Sequence, residues 1–205
     1  WSSDGGEGPA ESTRYFANSL GAGFDAHAAR LASETKWLGG RTAYLAAVLR
    51  TLWAWRKPAV HVRVEFERVA TPEAALRGGP PWEGAAVTRS HFEGPLFLCE
   101  VGNGHSVGGG FLLTPDARPD DGVLDVCLVR HMPPARALRL LPRSFSGAHV
   151  GAAEVTMDRV VALTIEVESG VLALQADGEA LSFVATALRV EVVPGALAVL
   201  APGLA

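Results

Sequence analysis

After Val60 the apolar residues recur at every second position, and this period of two constrains the fold more than any other feature of the sequence. In HVRVEFERV the side chains of Val62, Val64 and Phe66 alternate with charged ones, which is typical of a half-buried strand. Strand-like runs follow at short intervals: GPLFLCEV, GGGFLLT, GVLDVCLVR, VVALTIEVES, GVLALQAD, LSFVATALRVEVVP and ALAVLAP. Parallel strands need long crossover segments, which are mostly absent here. The sequence therefore predicts a mainly β fold, an antiparallel β-sandwich.

Two or three helices are expected at the periphery of this sandwich. Apolar residues at helical spacing predict a helix over 25–33, with Asp25 as its N-cap, and a longer one over 41–56. A third is predicted over 133–145, which opens at a Pro-Pro pair and is interrupted at Pro142. Residues 1–13 contain Gly, Pro and few apolar side chains, so they are interpreted as a linker or flexible loop.

The composition argues against several classes of protein. The net charge of −4 argues against a nucleic-acid partner, which needs a basic face. Cys99 and Cys127 lie in strand-like runs and form no C-x-x-C motif, which favours buried free thiols in a reducing cytosol. No apolar run reaches the roughly 18 residues of a membrane span. The chain opens with Trp rather than Met, which we interpret as a sign that it is part of a longer protein.

The segment ADGEAL at 176–181 lies between two strand-like runs and has two readings. Asp177-Gly178 is a common hairpin turn pair, in which case Glu179 is a solvated residue beside the turn. Alternatively, a tight loop between rigid strands holds a carboxylate in a fixed position, as a general base requires. The segment alone does not decide between them.

Other motifs also leave alternatives open. PDARPDDG at 115–122 is either an acidic turn or an oxygen-rich site for Mg²⁺ or Ca²⁺. GNGHSVGGG at 102–110 lacks the Gly-Lys-Ser/Thr of a Walker A loop and predicts close backbone approach in a sheet. NSLGAGFDA at 18–26 reads as a strand end that turns into a helix. His149, in SGAHVG, is more typical of a structural histidine than of a catalytic one.

Taken in this order and at these spacings, the five segments resemble the second domain of soluble lipid kinases of the diacylglycerol kinase and sphingosine kinase type. The resemblance covers about 14–203. It implies that Glu179 is the base that accepts the proton of the lipid hydroxyl. It also implies that Asp177 lies near the phosphate or its magnesium. By the same resemblance, the Asp121 carboxylate and the carbonyls of Arg118 and Val123 hold a structural Mg²⁺.

The resemblance predicts that residues 14–205 form the acceptor-side domain of an ATP-dependent lipid kinase, with diacylglycerol as the first choice of substrate. The nucleotide loop Gly-Gly-Asp-Gly-Thr does not occur here, so ATP would be held by a missing N-terminal nucleotide-binding domain. The expected location is cytoplasmic and peripheral to a membrane, and an exposed sheet edge would permit a homodimer. Two alternatives are an NAD kinase-like phosphotransferase domain and a non-catalytic lipid-binding or dimerising sandwich.

Overall fold

The computed structural model describes residues 12–34, 40–54, 60–69 and 86–198, and three helices and nine strands lie in these ranges. The helices are α1 (Phe24–Glu34), α2 (Gly40–Ala54) and α3 (Pro134–Ser144). The strands are β1 (Ser19–Gly23), β2 (Val60–Val69), β3 (Val87–Gly102), β4 (Leu124–Arg130), β5 (Val155–Val160), β6 (Ala162–Ser169), β7 (Leu172–Ala176), β8 (Glu179–Ala185) and β9 (Ala187–Glu191). No helix in the described ranges combines the length and hydropathy that crossing a membrane would need.

All strand pairs are antiparallel, and the long strand β3 connects the two halves of the sheet. The first part of β3 pairs with β2, whereas its last residues lie between β1 and β4. The register shifts between Leu96 and Leu98, just after Gly94 adopts a φ of 145°. The main path of neighbouring strands is β8-β7-β1-β3-β2-β6-β9, and β4 adds a branch that continues to β5. This bend lets the sheet curl back on itself.

Two apolar cores follow from this curl. The first lies inside the curled sheet and takes buried residues from every strand except β8, including Val62, Val64 and Phe66 as the alternation predicts. The second lies between the outer face of β3 and β4 and the helices, where Leu98 and Val129 meet side chains of α1, α2 and α3. The predicted antiparallel β-sandwich with peripheral helices is confirmed.

Several predicted boundaries were wrong in detail. GGGFLLT forms no strand; it contributes only an isolated bridge between Val107 and Phe111, because three successive glycines adopt positive φ there. VVALTIEVES is divided after Val160 into the end of β5 and β6, and LSFVATALRVEVVP is divided into β8 and β9. Most of ALAVLAP, and residues 1–11, lie outside the described residues.

The helices also differ slightly from the prediction. Pro142 does not interrupt α3, because it lies in the last turn, where few intrahelical hydrogen bonds remain to be lost. Asp25 lies in the first turn of α1 rather than at the N-cap, because the helix begins at Phe24. The helix predicted over 41–56 is observed as Gly40–Ala54, and residues 55–56 are outside the described ranges.

Candidate functional site

The turn between β7 and β8 consists of two residues, Asp177 and Gly178, with φ of 50° and 83°. Positive φ at both positions is the geometry that matches the twist of a tight hairpin, so the predicted turn is confirmed. The Asp177 carboxylate accepts hydrogen bonds from the backbone amides of Ala17 and Asn18, each at 2.8 Å, and of Ser19 at 3.0 Å. Partial burial raises the pKa of Asp177, but these three amides outweigh it and hold the pKa below its ordinary value. Asp177 is thus a fixed anion that ties the hairpin to the start of β1.

Glu179 follows the turn as the first residue of the edge strand β8. Its side chain is 76% exposed, and the carboxylate pairs with the guanidinium of Arg14 at 3.3 Å. In the pairing of β7 with β8, Glu179 lies directly opposite Ala176, the residue that precedes Asp177. Asp177, bound to backbone amides, and Glu179, which faces solvent, therefore lie beside the same turn. Because Glu179 pairs with Ala176, its side chain projects to the opposite face of the sheet from that of Gln175.

The strand register arranges side chains in rows on the helix-covered face of the sheet. One row joins Asp125, Gly102, Ser19 and Asp177 across β4, β3, β1 and the hairpin. Because strands lie about 4.8 Å apart, Asp125 and Asp177 are separated by roughly 14 Å at the same end of the sheet. The acidic turn and the ADGEAL turn thus share one end of the molecule.

Two further rows follow along the same face, each about 7 Å from the previous one. The middle row contains Cys127, Glu100, Gly21 and Gln175, and the third contains Val129, Leu98 and Gly23. The face therefore changes from charged to apolar over a short distance along the strands. Such a gradient is suited to a ligand with one polar and one apolar end.

A polar crevice of about 200 Å³ lies over the charged end of this face. Its walls come from the ADGEAL turn, the start of β1 and α1, and the glycine-rich loop that follows β3. Asn18 fixes the loop, since its side-chain amide donates to the Ser106 carbonyl at 3.1 Å. Asn103 donates in turn to the Ala17 carbonyl at 2.8 Å. The lining residues are Asn18, Ser19, Asp25, Ala29, Ser106, Val107, Gly108, Gly109, Gly110, Gln175, Asp177 and Gly178.

An apolar cavity of about 90 Å³ lies over the other end of the face, between the sheet and the three helices. Leu98 and Val129 form part of its floor, and Val48, Leu52 and Leu140 of α2 and α3 form part of its roof. Its volume accommodates about three water-sized groups, so a longer chain enters only if the helices move apart. Asp25 borders both the cavity and the polar crevice, which makes the two spaces neighbours.

A buried polar cluster lies at the boundary between them. Gln175 donates to the Asp25 carboxylate at 2.7 Å and accepts from the Gly178 amide at 2.8 Å. Glu100 is fully buried, and its carboxyl oxygens form no hydrogen bond of ordinary geometry with the described residues, although the Ser19 side chain lies close enough to affect its pKa. Burial raises the pKa of Glu100 well above its ordinary value and the neighbouring Asp25 raises it further, while the Ser19 hydroxyl opposes the rise. Burial and the neighbouring carboxylate thus both favour the neutral form of Glu100.

Gly21 makes this cluster sterically possible. A Cβ at Gly21 would lie 2.5 Å from Asp25 Oδ2, 2.6 Å from Gln175 Nε2 and 2.8 Å from Glu100 Oε2. Carbon atoms do not approach oxygen and nitrogen so closely, so any other residue would displace the three side chains. Gly21 of NSLGAGFDA is thus required because three polar side chains pack directly against its backbone.

The acidic turn before β4 contains the three residues predicted to bind magnesium. The Asp121 carboxylate accepts from the Val123 amide at 3.2 Å and pairs with Arg159, and the Arg118 carbonyl accepts from the Asp121 amide at 3.5 Å. Nearby, burial raises the pKa of Asp125 to about 6; the Arg159 guanidinium lowers it, and Asp121 and Asp116 raise it. Within the described ranges no three His, Cys, Asp or Glu side chains are grouped to hold a metal. One carboxylate and two carbonyls are nevertheless hard oxygen donors of the kind that Mg²⁺ prefers.

Sequence reasoning missed the buried polar cluster and the pairing of Asp121 with Arg159. One signal was available, since Glu100 is the single charged residue in the apolar run PLFLCEV. A charged side chain within such a run, on the face buried by the helices, indicates a buried ionisable group. Gln175 in LALQA carries the same kind of signal. The partners across the sheet depend on register, which the motifs do not reveal.

Comparison with known proteins identifies the family and the fold of this chain. Residues 18–201 match the family model of the YegS C-terminal NAD kinase beta sandwich-like domain. A diacylglycerol kinase of Mycobacterium tuberculosis strain H37Rv is 31% identical over 191 residues, which are 92% of this chain and 53% of that protein. A Chromohalobacter salexigens protein named "Probable lipid kinase YegS-like" is 35% identical over 108 residues, or 53% of this chain and 34% of the relative. The chain thus spans about half the length of the M. tuberculosis relative.

A crystal structure of a candidate diacylglycerol kinase from Bacillus anthracis str. Sterne aligns with 88% of this chain and 50% of its own. The TM-score is 0.55 and the sequence identity is 18%. At this level of identity the alignment shows a common fold.

Proposed function

Because this chain belongs to the family of YegS C-terminal NAD kinase β-sandwich-like domains, we propose that it is the acceptor-side domain of an ATP-dependent lipid kinase. The longer protein would transfer the γ-phosphoryl group of ATP to a lipid hydroxyl, with diacylglycerol as the preferred acceptor. Relatives named diacylglycerol kinase and lipid kinase support the choice of chemistry.

One observation carries this proposal: the helix-covered face changes from charged to apolar within three rows, with a polar crevice over one end and an apolar cavity over the other. A lipid would place its hydroxyl in the crevice beside Asp177 and begin its chain in the cavity. Burial of apolar surface contributes roughly 25 cal/mol per Å², so the cavity favours the acyl part of the ligand.

Glu179 is proposed to orient the acceptor hydroxyl and to accept its proton. A carboxylate is a weak base toward an alcohol, but in a loose phosphoryl-transfer transition state the proton leaves late, so orientation matters more than basicity. Such a group typically accelerates the reaction on the order of 10²–10⁴-fold. Glu179 does not line the crevice, so the acceptor hydroxyl would have to lie at the rim of the hairpin, with the reacting phosphate approaching from outside this domain.

Asp177 is proposed to lie close to the nucleotide phosphates or their magnesium. Its three amide hydrogen bonds keep the carboxylate ionised and fixed, which are the properties a cation partner needs. ATP with Mg²⁺ would supply the transferable phosphoryl group and neutralise its charge, and a separate nucleotide-binding domain would hold it. Asp121, with the carbonyls of Arg118 and Val123, is proposed to hold a second Mg²⁺ that stiffens the turn before β4.

Membrane association is proposed to involve the outer surfaces of α2 and α3. Trp53 is 90% exposed and Leu49 is exposed beside it, although the same helix contributes Leu52 to the cavity. Leu138 on α3 is also exposed, and α3 contributes Leu140 to the cavity. Exposed apolar side chains around a cavity are suited to contact with a lipid surface, from which a substrate could enter directly.

The test uses the full-length protein with radiolabelled ATP and a panel of acceptors in detergent micelles: diacylglycerol, sphingosine, phosphatidylglycerol and, without detergent, NAD. The proposal predicts transfer to diacylglycerol, or to another of the lipids, and no transfer to NAD. Phosphorylation of NAD alone would favour the NAD kinase-like alternative. Lipid binding without transfer to any acceptor would favour a non-catalytic lipid-binding sandwich.

A further inference from the structure

The carboxylate proposed to bind magnesium in the acidic turn already has a positively charged neighbour. The Arg159 guanidinium on β5 pairs with Asp121 Oδ2, and its Nε lies 3.7 Å from Asp125 Oδ2. Strand register fixes this arrangement, because Arg159 lies directly opposite Asp125 in the pairing of β5 with β4. The arginine within the turn, Arg118, pairs instead with Asp120 at 3.5 Å. The Arg159 guanidinium therefore lies between the proposed metal ligand and a second carboxylate.

The second carboxylate is only weakly paired. Asp125 is 4% exposed, and its Oδ2 accepts no hydrogen bond of ordinary geometry within the described ranges, because the 3.7 Å ion pair with Arg159 is too long for one. The Arg159 side chain is 46% exposed, so the guanidinium has room to move. A shift of about 1 Å toward Asp125 would bring the two groups within hydrogen-bonding distance. Arg159 thus has another partner available if it leaves Asp121.

A magnesium ion on Asp121 would be repelled by a guanidinium bound to the same carboxylate. Mg²⁺ lies about 2.1 Å from its oxygen ligands, and a charge-assisted N–H···O bond spans about 2.8 Å. On one oxygen, the ion and the guanidinium nitrogen would therefore be at most roughly 5 Å apart. Even with the dielectric constant of water, the repulsion between a divalent and a monovalent cation at this distance weakens ion binding on the order of tenfold.

We propose that Arg159 competes with Mg²⁺ for Asp121 and thereby sets the affinity of the acidic turn for the ion. This inference rests on the magnesium site of the proposed function and adds the residue that opposes the ion there. When Mg²⁺ binds, the guanidinium transfers from Asp121 to the weakly paired oxygen of Asp125. Asp121 is thus neutralised by the arginine at low magnesium concentration and by the ion at high concentration, so the ion is exchangeable rather than permanent.

The experiment measures Mg²⁺ affinity by calorimetric titration of the full 205-residue chain without nucleotide, so that no complex of Mg²⁺ with ATP contributes. Arg159→Gln removes the competing charge and should bind Mg²⁺ on the order of tenfold more tightly than the parent. Arg159→Lys keeps the charge and should bind Mg²⁺ more weakly than Arg159→Gln does. Arg189→Gln is the matched control, because Arg189 is also a half-exposed strand arginine that pairs with two carboxylates, and its affinity should equal that of the parent.

A double variant tests whether the gain in affinity belongs to this turn. Adding Asp121→Asn to Arg159→Gln should abolish the tighter binding, because the carboxylate for which the two cations compete is then absent. The melting temperature gives an independent readout, since the rise caused by Mg²⁺ should be larger for Arg159→Gln than for the parent. Tight binding that persists in the double variant would place the ion elsewhere and overturn both the site and the inference.

Two results would overturn the inference and leave the proposed magnesium site intact. One is Mg²⁺ binding by Arg159→Gln at the parent affinity or more weakly, which would show that Arg159 does not oppose the ion. The other is equally tight binding by Arg159→Lys and Arg159→Gln, which would show that the charge is not the cause. Absence of Mg²⁺ binding in all of these proteins would exclude the proposed site and this inference with it, whereas phosphoryl transfer to lipid is tested separately by the panel of acceptors.

Discussion

Replacing Glu100 by Gln is expected to make the stability of this protein less dependent on pH. Glu100 is fully buried on the helix-covered face, with Asp25 as its acidic neighbour. Burial and the charge of Asp25 raise the pKa of Glu100 in the folded state, whereas the unfolded chain has an ordinary value near 4.5. Glutamine has nearly the same shape but cannot ionise, so it removes the titration and leaves the packing in place.

The sign and size follow from proton linkage. Because the folded pKa is raised, the stability that Glu100 contributes is fully present below the unfolded pKa and is lost as the pH rises through the folded pKa. Between these values the unfolded state releases a proton that the folded state keeps. Each pH unit therefore lowers the stability of the parent protein relative to Glu100→Gln by about 1.4 kcal/mol.

The assay is urea unfolding of both proteins at half-unit intervals from pH 5 to pH 8. The free-energy difference between them should widen with pH in favour of Glu100→Gln. Glu93→Gln is the matched control, because Glu93 is exposed and pairs with Arg63 at 3.4 Å; its curve should run parallel to that of the parent within about 0.5 kcal/mol. Parallel curves for Glu100→Gln as well would show that Glu100 is ionised when folded, which would refute the reasoning.

Three other predictions concern the turns and the helix surface. Asp177→Ala should lower the free energy of unfolding by about 1–3 kcal/mol at pH 7, since three backbone amides lose their acceptor. The difference should vanish in acid, where Asp177 of the parent protein becomes protonated. An unchanged urea midpoint at pH 7 would show that these hydrogen bonds do not stabilise the fold. Excess Mg²⁺ should raise the melting temperature of the parent protein and of Asp120→Asn but not of Asp121→Asn; an equal rise in all three would exclude the proposed site. Trp53→Ser should weaken sedimentation with anionic vesicles by roughly tenfold, whereas Val171→Ser should not, and equal losses would place the membrane contact elsewhere.

The alternation after Val60 was sufficient to predict the fold class because each side chain's face is set locally. Val62, Val64 and Phe66 lie in the core of the curled sheet, and the alternation alone predicts that they share one face, whatever the position of β2 in the sheet. The Asp177-Gly178 turn was predictable for a similar reason, since positive φ at two successive positions favours this pair. The glycine-rich loop was misread because apolar residues beside glycines resemble a strand, while the backbone of Gly108 to Gly110 cannot continue one.

The site could be predicted only in part. The two turns of the site are formed by residues close in sequence, so they could be predicted. The change from charged to apolar side chains along the sheet depends on strand register, which places Glu100 of β3 opposite Cys127 of β4 and opposite Gly21 of β1. Nothing in a single strand specifies which residue of another strand lies opposite. For the same reason the pairing of Asp121 with Arg159 could not be predicted, because it joins residues that are close only after β4 and β5 pair.

The proposed phosphoryl transfer depends most directly on the carboxylate of Glu179. In the full-length protein, phosphoryl transfer from ATP to diacylglycerol in mixed micelles should be measured for the parent, Glu179→Gln and Glu191→Gln. Glu191 is also an exposed strand glutamate paired with an arginine, so it controls for loss of a surface charge. We expect kcat to fall on the order of 10²-fold or more for Glu179→Gln and to stay unchanged for Glu191→Gln. A Glu179→Gln enzyme that turns over at the parent rate would contradict the proposed role of Glu179.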